Sequence, residues 1–266
     1  YIVNSVTGLG YVFTHRHFLA RLLQEIVKNF YRIALKSTEV IFQNSNDLEY
    51  FIQRKIVKKD NAHLIPGSGV DIAYFKPAQE PTGIPLVILP ARMLWDKGIK
   101  EFIDAAMIVR RKGIQARFAL VGNSDPGNPS SVPQEKLKTW HLEGIVEWWG
   151  WRQDMLGVYH QAYIVCLPSY REGLAKSLIE AAACGIPLIA TNISGCREVV
   201  RDGINGFLIP LKDSLKLAAA IEKLIKNPEL RHKMGKESRR LVVKNYSTEI
   251  INSETIGVYN KIIKKV

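Results

Sequence analysis

The chain has 266 residues, 47% of them apolar and 23% charged, with a formal net charge of +12 and three cysteines. That balance excludes a disordered or fibrous chain, and the length predicts two ordinary domains rather than one. The charge calls for an anionic partner, and nucleic acid, a membrane surface and a phosphorylated substrate all satisfy it.

Apolar runs break well before the roughly 18 residues that a membrane-spanning helix needs. Cys166, Cys184 and Cys196 have neither CxxC spacing nor an even count, which argues against a disulfide framework or zinc site and for a reducing cytosol. The opening "YIVNSVTGLG" lacks an initiator Met and a signal peptide and reads as a strand running into a glycine turn, so the chain is expected to enter in mid-domain. Residues 15–36 follow with Phe18, Leu19, Leu22, Leu23, Ile26, Val27, Phe30 and Tyr31 on one helical face, and Arg16, Arg21, Lys28, Arg32 and Lys36 largely off it. Such a basic amphipathic helix suits either its own domain core or an anionic lipid surface. Next come a strand, "EVIFQN", a helix with Ser45 as its cap, the basic run "RKIVKK" and the closing "AHLIPGSGVDIAYF".

Residues 76–85, "KPAQEPTGIP", hold three prolines and no periodicity, which marks a linker between a first domain, 1–75, and a second, 86–246. Beyond it strands alternate with helices: "LVILPA", a helix over 99–113, "ARFALVGN", a helix over 133–142, "IVEWWG", a short helix, "AYIVCLPS", a helix and "PLIAT". This is the pattern of a parallel doubly wound α/β sheet, whose ligands sit beyond the carboxyl ends of the strands. Helices over 213–226, 228–243 and 248–264 end the chain.

The loops after the strands carry the chemistry. "ARMLWDKG" sets Arg92, a planar fork for phosphate oxygens, near Lys97, a mobile point charge, and the pair suits a diphosphate; a solvated basic loop accounts for the same residues. In "YREGLAKSLIEAAACGIP" Gly173 stands just before a helix, with small Ala175 nearby and Lys176 in the first turn, and the free amides of that helix start favour phosphate. Glu172 and Glu180 are separated by on the order of 9 Å along a helix axis, which suits two polyols either side of a diphosphate. The plainer alternative makes Glu172 an N-terminal cap and Glu180 a surface residue, but Glu180 lies inside an apolar helix. Trp148, Trp149 and Trp151 fit a sugar or base pocket or strand packing.

These segments, "ARMLWDKG", "FALVG", "IVEWWGWRQDM", "AYIVCLPSYREGLAKSLIEAAACGIPLIAT" and "GCREVVRDGINGFLIP", with "GSGVD" at 67–71, resemble the retaining glycosyltransferases of family 4, which adopt the GT-B fold of two Rossmann-like domains. The EX7E element from Glu172 to Glu180 is the most diagnostic part. The resemblance implies two parallel doubly wound sheets, the first domain incomplete, and a terminal helix, 247–266, that crosses back to the first domain. Carried over by position, Arg92 and Lys97 contact the donor diphosphate and Glu180 the ribose. Glu172, with Gly173, Leu174 and Ala175, holds the donor sugar and phosphate, while Gly122 borders the donor and Arg152 the base. Catalysis falls to Glu172, Arg92 and Lys97, with no metal and no cofactor beyond the nucleotide-sugar donor.

"TGLGYVFT" at 7–14 and "GNSDPGNPSS" at 122–131 look most like bacterial enzymes that extend undecaprenyl-diphosphate-linked oligosaccharides from UDP-activated hexoses or N-acetylhexosamines. The partners so implied are a nucleotide sugar, a lipid-linked or saccharide acceptor and an anionic membrane at the cytoplasmic face. Where the family often has a histidine touching the donor sugar, this chain has Thr7; His15 and His17 are not assigned that role. Two rival readings remain: a sugar-nucleotide-binding fragment without turnover, and a nucleic-acid-binding protein. Against the second, the charge is dispersed, +3 over residues 1–84 and +9 over 85–266, with no nucleic-acid-binding motif.

Overall fold

A computed structural model describes residues 2–8 and 18–264. His15, His17, residues 15–17 of the expected helix and 9–14 of "TGLGYVFT" lie outside the described residues. The chain forms two compact units, the first built from residues up to Gly69 with Glu172–Leu174 and the residues from Thr248 on, the second from Val70–Arg171 and Ala175–Ser247.

In the first unit, strands β1 (Val3–Val6), β2 (Glu39–Phe42) and β3 (Ala62–Leu64) form a parallel sheet in that order, with helices α1 (Phe18–Ala34) and α2 (Ser45–Gln53) as the crossovers. Alternation along β2 divides its side chains between two cores. Val40 and Phe42 join Val6, Phe51, Ile56 and Val57, while Ile41 joins Ile65 and, from the C-terminal helix Thr248–Ile263, Ile251 and Val258. The cap of α2 is Asn44 rather than Ser45: its Oδ1 accepts from the Asp47 amide at 2.9 Å. Along α1, Tyr31 and Leu35 reach the core. Leu23, Ile26, Phe30 and Ile33 are exposed, and Lys28 is instead buried, 2.6 Å from Glu25. Among the described side chains, the apolar stripe therefore only partly packs into the core.

The second unit is a six-stranded parallel sheet. Its elements are β4 (Leu86–Pro90), α3 (Ile99–Arg111), β5 (Arg117–Val121), α4 (Gln134–Leu142), β6 (Glu147–Gly150), α5 (Met155–Tyr159), β7 (Ile164–Leu167), α6 (Lys176–Ala183), β8 (Leu188–Thr191), α7 (Ser194–Arg197), β9 (Gly206–Ile209), α8 (Ser214–Lys226) and α9 (Pro228–Asn245); the C-terminal helix is α10. The strand order β6-β5-β4-β7-β8-β9 reverses between β4 and β7. That is the doubly wound arrangement, with its ligand crevice expected outside the carboxyl ends of the two strands flanking the reversal. Val87, Ile88, Leu89, Ile164, Val165 and Cys166 are fully buried, as strands covered on both faces require.

The expected linker, 76–85, belongs to the second unit. Arg231 of α9 forks onto Glu80 at 2.6 and 2.7 Å, Tyr163 donates its hydroxyl to the Pro81 carbonyl, and His160 bonds the Lys76 carbonyl at 2.9 Å. Proline fixes the backbone of such a segment without freeing it from its neighbours, so the division falls at Gly69/Val70, ahead of the prolines. No helix among the described residues is long and apolar enough to cross a membrane.

Candidate functional site

The loop after β4 carries Arg92 and ends in a 3-10 turn, Trp95–Lys97, at the start of α3. Two glycines bring neighbouring loops against it. Gly122 ends β5 at φ +140°, and a Cβ there would lie 2.0 Å from the Ala91 carbonyl oxygen; Gly98, at φ +75°, would place one 2.2 Å from the carbonyl oxygen of Pro168 in the loop after β7. Only glycine fits either position. A backbone bond from Tyr170 to the Asp96 carbonyl at 2.7 Å completes the junction. Sequence adjacency to strand ends thus becomes spatial adjacency at the sheet reversal.

Glu180 lies on α6, the helix that follows the loop after β7. It sits in the second turn of α6, its side chain 15% exposed, with Leu178, Ile179, Ala181 and Ala182 buried around it. Tyr159 of α5 donates its hydroxyl to Oε2 at 3.0 Å, and the Lys176 ammonium stands 3.9 Å from Oε1. Burial raises the Glu180 pKa above the ordinary carboxylate value, against the smaller lowering effects of the Tyr159 hydrogen bond and the Lys176 charge. A carboxylate so held is desolvated yet keeps acceptor capacity for hydroxyl groups.

The helix itself begins at Lys176, with Ala175 at the N-cap and no side-chain cap. Glu172 is therefore not a cap, because three residues separate it from the helix start. By their contacts Glu172, Gly173 and Leu174 belong to the first unit, where the Gly173 carbonyl accepts from Asn44 Nδ2 at 3.1 Å. Arg92, Lys97, Gly122, Arg152, Ala175 and Glu180 lie in the second. Arg152 is exposed, its guanidinium 5.8 Å from the centre of the Trp149 ring. Of the tryptophans, Trp148 donates to the Gly122 carbonyl at 2.9 Å and Trp149 to Glu147 at 2.8 Å, while Trp151 is exposed.

Four residues join the site that sequence reasoning missed. Asp125, after β5, pairs with Arg92 at 2.9 Å, and Tyr159 holds Glu180. Buried Glu101, in the first turn of α3, accepts from the Tyr170 hydroxyl at 2.7 Å, which ties the start of α3 to the loop after β7. Burial, then Glu101, raises the Tyr170 pKa and keeps its proton in place. The available signal was Glu101 itself, a carboxylate on the apolar face formed by Ile99, Phe102 and Ile103.

A family model described as glycosyl transferases group 1 matches residues 71–241, well over half of the chain. The chain belongs to this family. Among curated proteins, the group 1 glycosyl transferase is 29% identical to the N,N'-diacetylbacillosaminyl-diphospho-undecaprenol alpha-1,3-N-acetylgalactosaminyltransferase of Campylobacter jejuni, over 98% of this chain and 70% of that protein. It is 30% identical to the capsular polysaccharide biosynthesis glycosyltransferase CapM of Staphylococcus aureus over 65% of this chain, but that match spans only 45% of CapM. Among solved structures, sucrose-phosphate synthase of Thermosynechococcus elongatus superposes with a TM-score of 0.81 at 23% identity, covering 99% of this chain and 68% of that one. HepE of Anabaena, solved with UDP and glucose, gives 0.77 at 21%, covering 97% and 71%. The group 1 glycosyl transferase thus has the GT-B type of α/β fold with parallel sheets.

Proposed function

We propose that this chain carries the donor side of a retaining, family 4 type glycosyltransferase that moves a hexose or N-acetylhexosamine from a UDP-sugar to a lipid-linked or saccharide acceptor in bacterial surface glycan synthesis. The observation that carries the reading is Glu180, a buried carboxylate with its hydroxyl donor and cation in place, on the helix that follows the β7 loop, which meets the loop after β4, as does the loop after β5. Glu180 accepts the ribose hydroxyls. Arg92, Lys97 and the first-turn amides of α6 take up charge as the diphosphate departs, and electrostatic stabilisation of that charge is the main work of the protein. Retention then follows from front-face attack: the acceptor oxygen bonds the anomeric carbon as the bond to the diphosphate breaks, and the departing phosphate oxygen receives the acceptor proton. Glu172, with Gly173 to Ala175, holds the sugar. The relatives named for an undecaprenol-linked substrate and for capsular polysaccharide support the acceptor class, and HepE with UDP supports the base.

Calorimetric titration with UDP, with GDP and ADP as controls, tests the reading. Micromolar UDP binding is expected, with a loss of roughly tenfold or more in Glu180→Ala, the scale of a hydrogen bond to a charged group. No binding to any nucleotide, or an unchanged affinity in Glu180→Ala, overturns it. The exposed Phe30 and Ile33 of α1, beside exposed Arg32 and Lys36, support peripheral contact with anionic lipid at the cytoplasmic face. Flotation with anionic but not neutral liposomes is expected, and lipid-independent behaviour removes that part.

A further inference from the structure

We propose that Tyr159 is a positioning residue for the donor: its hydroxyl proton goes to Oε2 of Glu180 and fixes that carboxylate with Oε1 available to the ribose. The inference rests on the function proposed above and adds a residue that acts through Glu180 without touching the ligand.

The Tyr159 side chain is fully buried. Its ring packs edge-on against Phe75 at 6.0 Å and walls a cavity of about 340 Å³ with Tyr163, Cys184 and Arg239. A phenylalanine would satisfy all of that packing. The hydroxyl is the part that packing does not need, and burying one without a partner costs about 1–3 kcal/mol. It has two acceptors in reach, Oε2 of Glu180 at 3.0 Å and the Ser177 carbonyl at 3.2 Å, and one proton to give. The carboxylate is nearer and charged, so it takes the proton. Oε1 then faces Lys176, on the exposed side of the same helix.

The electrostatics agree. Burial, followed by the neighbouring Glu180 charge, raises the Tyr159 pKa well above its ordinary value, so the phenol remains a donor across the range where proteins bind nucleotides. Tyr159 from α5 and Lys176 from its own helix act on Glu180, while Cys184, at the cap of that helix, feels both Arg239 of α9 and Glu180. Cys184 is pushed up to about 12 by burial, so it stays a neutral thiol below pH 8. His160, next to Tyr159, points its Nε2 to the Lys76 carbonyl instead.

The sign follows from the acceptor role. Two ribose hydroxyls need an ionised carboxylate, so UDP affinity falls as pH drops through the Glu180 pKa. Loss of the Tyr159 donor removes a lowering influence, and the fall then begins at a higher pH.

The test compares the wild-type chain with Tyr159→Phe, Glu180→Gln and a His160→Gln control in two readouts. The first is the pH titration of the glutamate side-chain carboxyl ¹³C signals, with Glu180 assigned as the resonance missing from Glu180→Gln. The second is the UDP dissociation constant from pH 5 to 8. The expected result in Tyr159→Phe is an upward shift of the Glu180 midpoint, with UDP binding roughly five- to tenfold weaker at pH 7 and its acid limb moved in the same direction; His160→Gln shifts neither. A Glu180 midpoint unmoved in Tyr159→Phe overturns the inference, whatever happens to affinity. If the midpoint moves but UDP binding is indifferent to both Glu180→Gln and Tyr159→Phe, the positioning role fails together with the donor assignment. If Glu180→Gln weakens UDP binding while Tyr159→Phe leaves it unchanged, the donor assignment stands and the inference alone falls.

Discussion

Two carboxylates show, at the scale of single residues, how far surroundings change what the same group does. Arg92 and Asp125 meet at 2.9 Å, with side chains 63% and 37% exposed, so solvent screening leaves the pair at most about 1 kcal/mol. Its consequence lies in binding: Asp125 occupies the guanidinium that the proposed diphosphate contact requires. Asp125→Asn is expected to leave the melting temperature unchanged and to strengthen UDP binding about two- to fivefold, more at low salt than at high. Weaker binding in calorimetry would show instead that Asp125 aims Arg92 at the ligand. Glu180 is the contrasting case, a carboxylate whose apolar sequence neighbours foretold burial but whose tyrosine partner, 21 residues upstream, no local pattern could reveal. Asp125 was equally hidden, because a 33-residue separation turns into contact only when β4 and β5 pair.

At the scale of elements, periodicity served well where a segment buries a continuous face. The strands β4, β5, β7 and β8 and the helices α3, α8 and α9 lie within a few residues of their sequence-based bounds. Ends were less legible, since caps depend on geometry. In "QNSND" both Asn44 and Ser45 are good cap residues, and the choice between them is made by the Asn44 side chain, which also donates to Asp47 Oδ2 at 2.9 Å. The start of α6 shifted for a related reason: without a side-chain cap at Ala175, nothing in "REGLAK" marks the first helical residue. Strand β9 carries almost no local sequence signal. It has four residues, opens on Gly206 and lacks the branched run of its neighbours, and its place is set by parallel pairing with β8 across the intervening α7. The reversal of strand order at β4 and β7 is likewise invisible locally, although each loop it joins carries its own small and charged residues.

At the scale of the whole chain, composition predicted two bodies and proline content placed their boundary too late. Prolines at 77, 81 and 85 stiffen the backbone, but attachment is decided by partners. Arg231, its side chain 5% exposed, spends its fork on Glu80 and a third donor on the Leu224 carbonyl at 2.8 Å, while Arg239 donates to the carbonyls of Ile72 and Phe75. These two arginines of α9 hold residues 70–81 onto the second unit. Glu80→Ala would leave the Arg231 charge buried without its counter-ion, an effect of about 3 kcal/mol that exceeds the worth of any surface pair. The expected outcome is a clear fall in stability by urea denaturation, together with new cleavage within 76–85 under limited proteolysis, where the wild-type segment is protected. The same substitution separates two accounts of the segment. A free linker would be cut in both proteins and would tolerate Glu80→Ala without loss, whereas a strap is cut only after its arginine anchor is broken. A fall in stability that persists unchanged at 0.5 M salt would further assign the loss to a buried pair, because the roughly 4–5 Å screening length there acts on exposed charges far more than on enclosed ones.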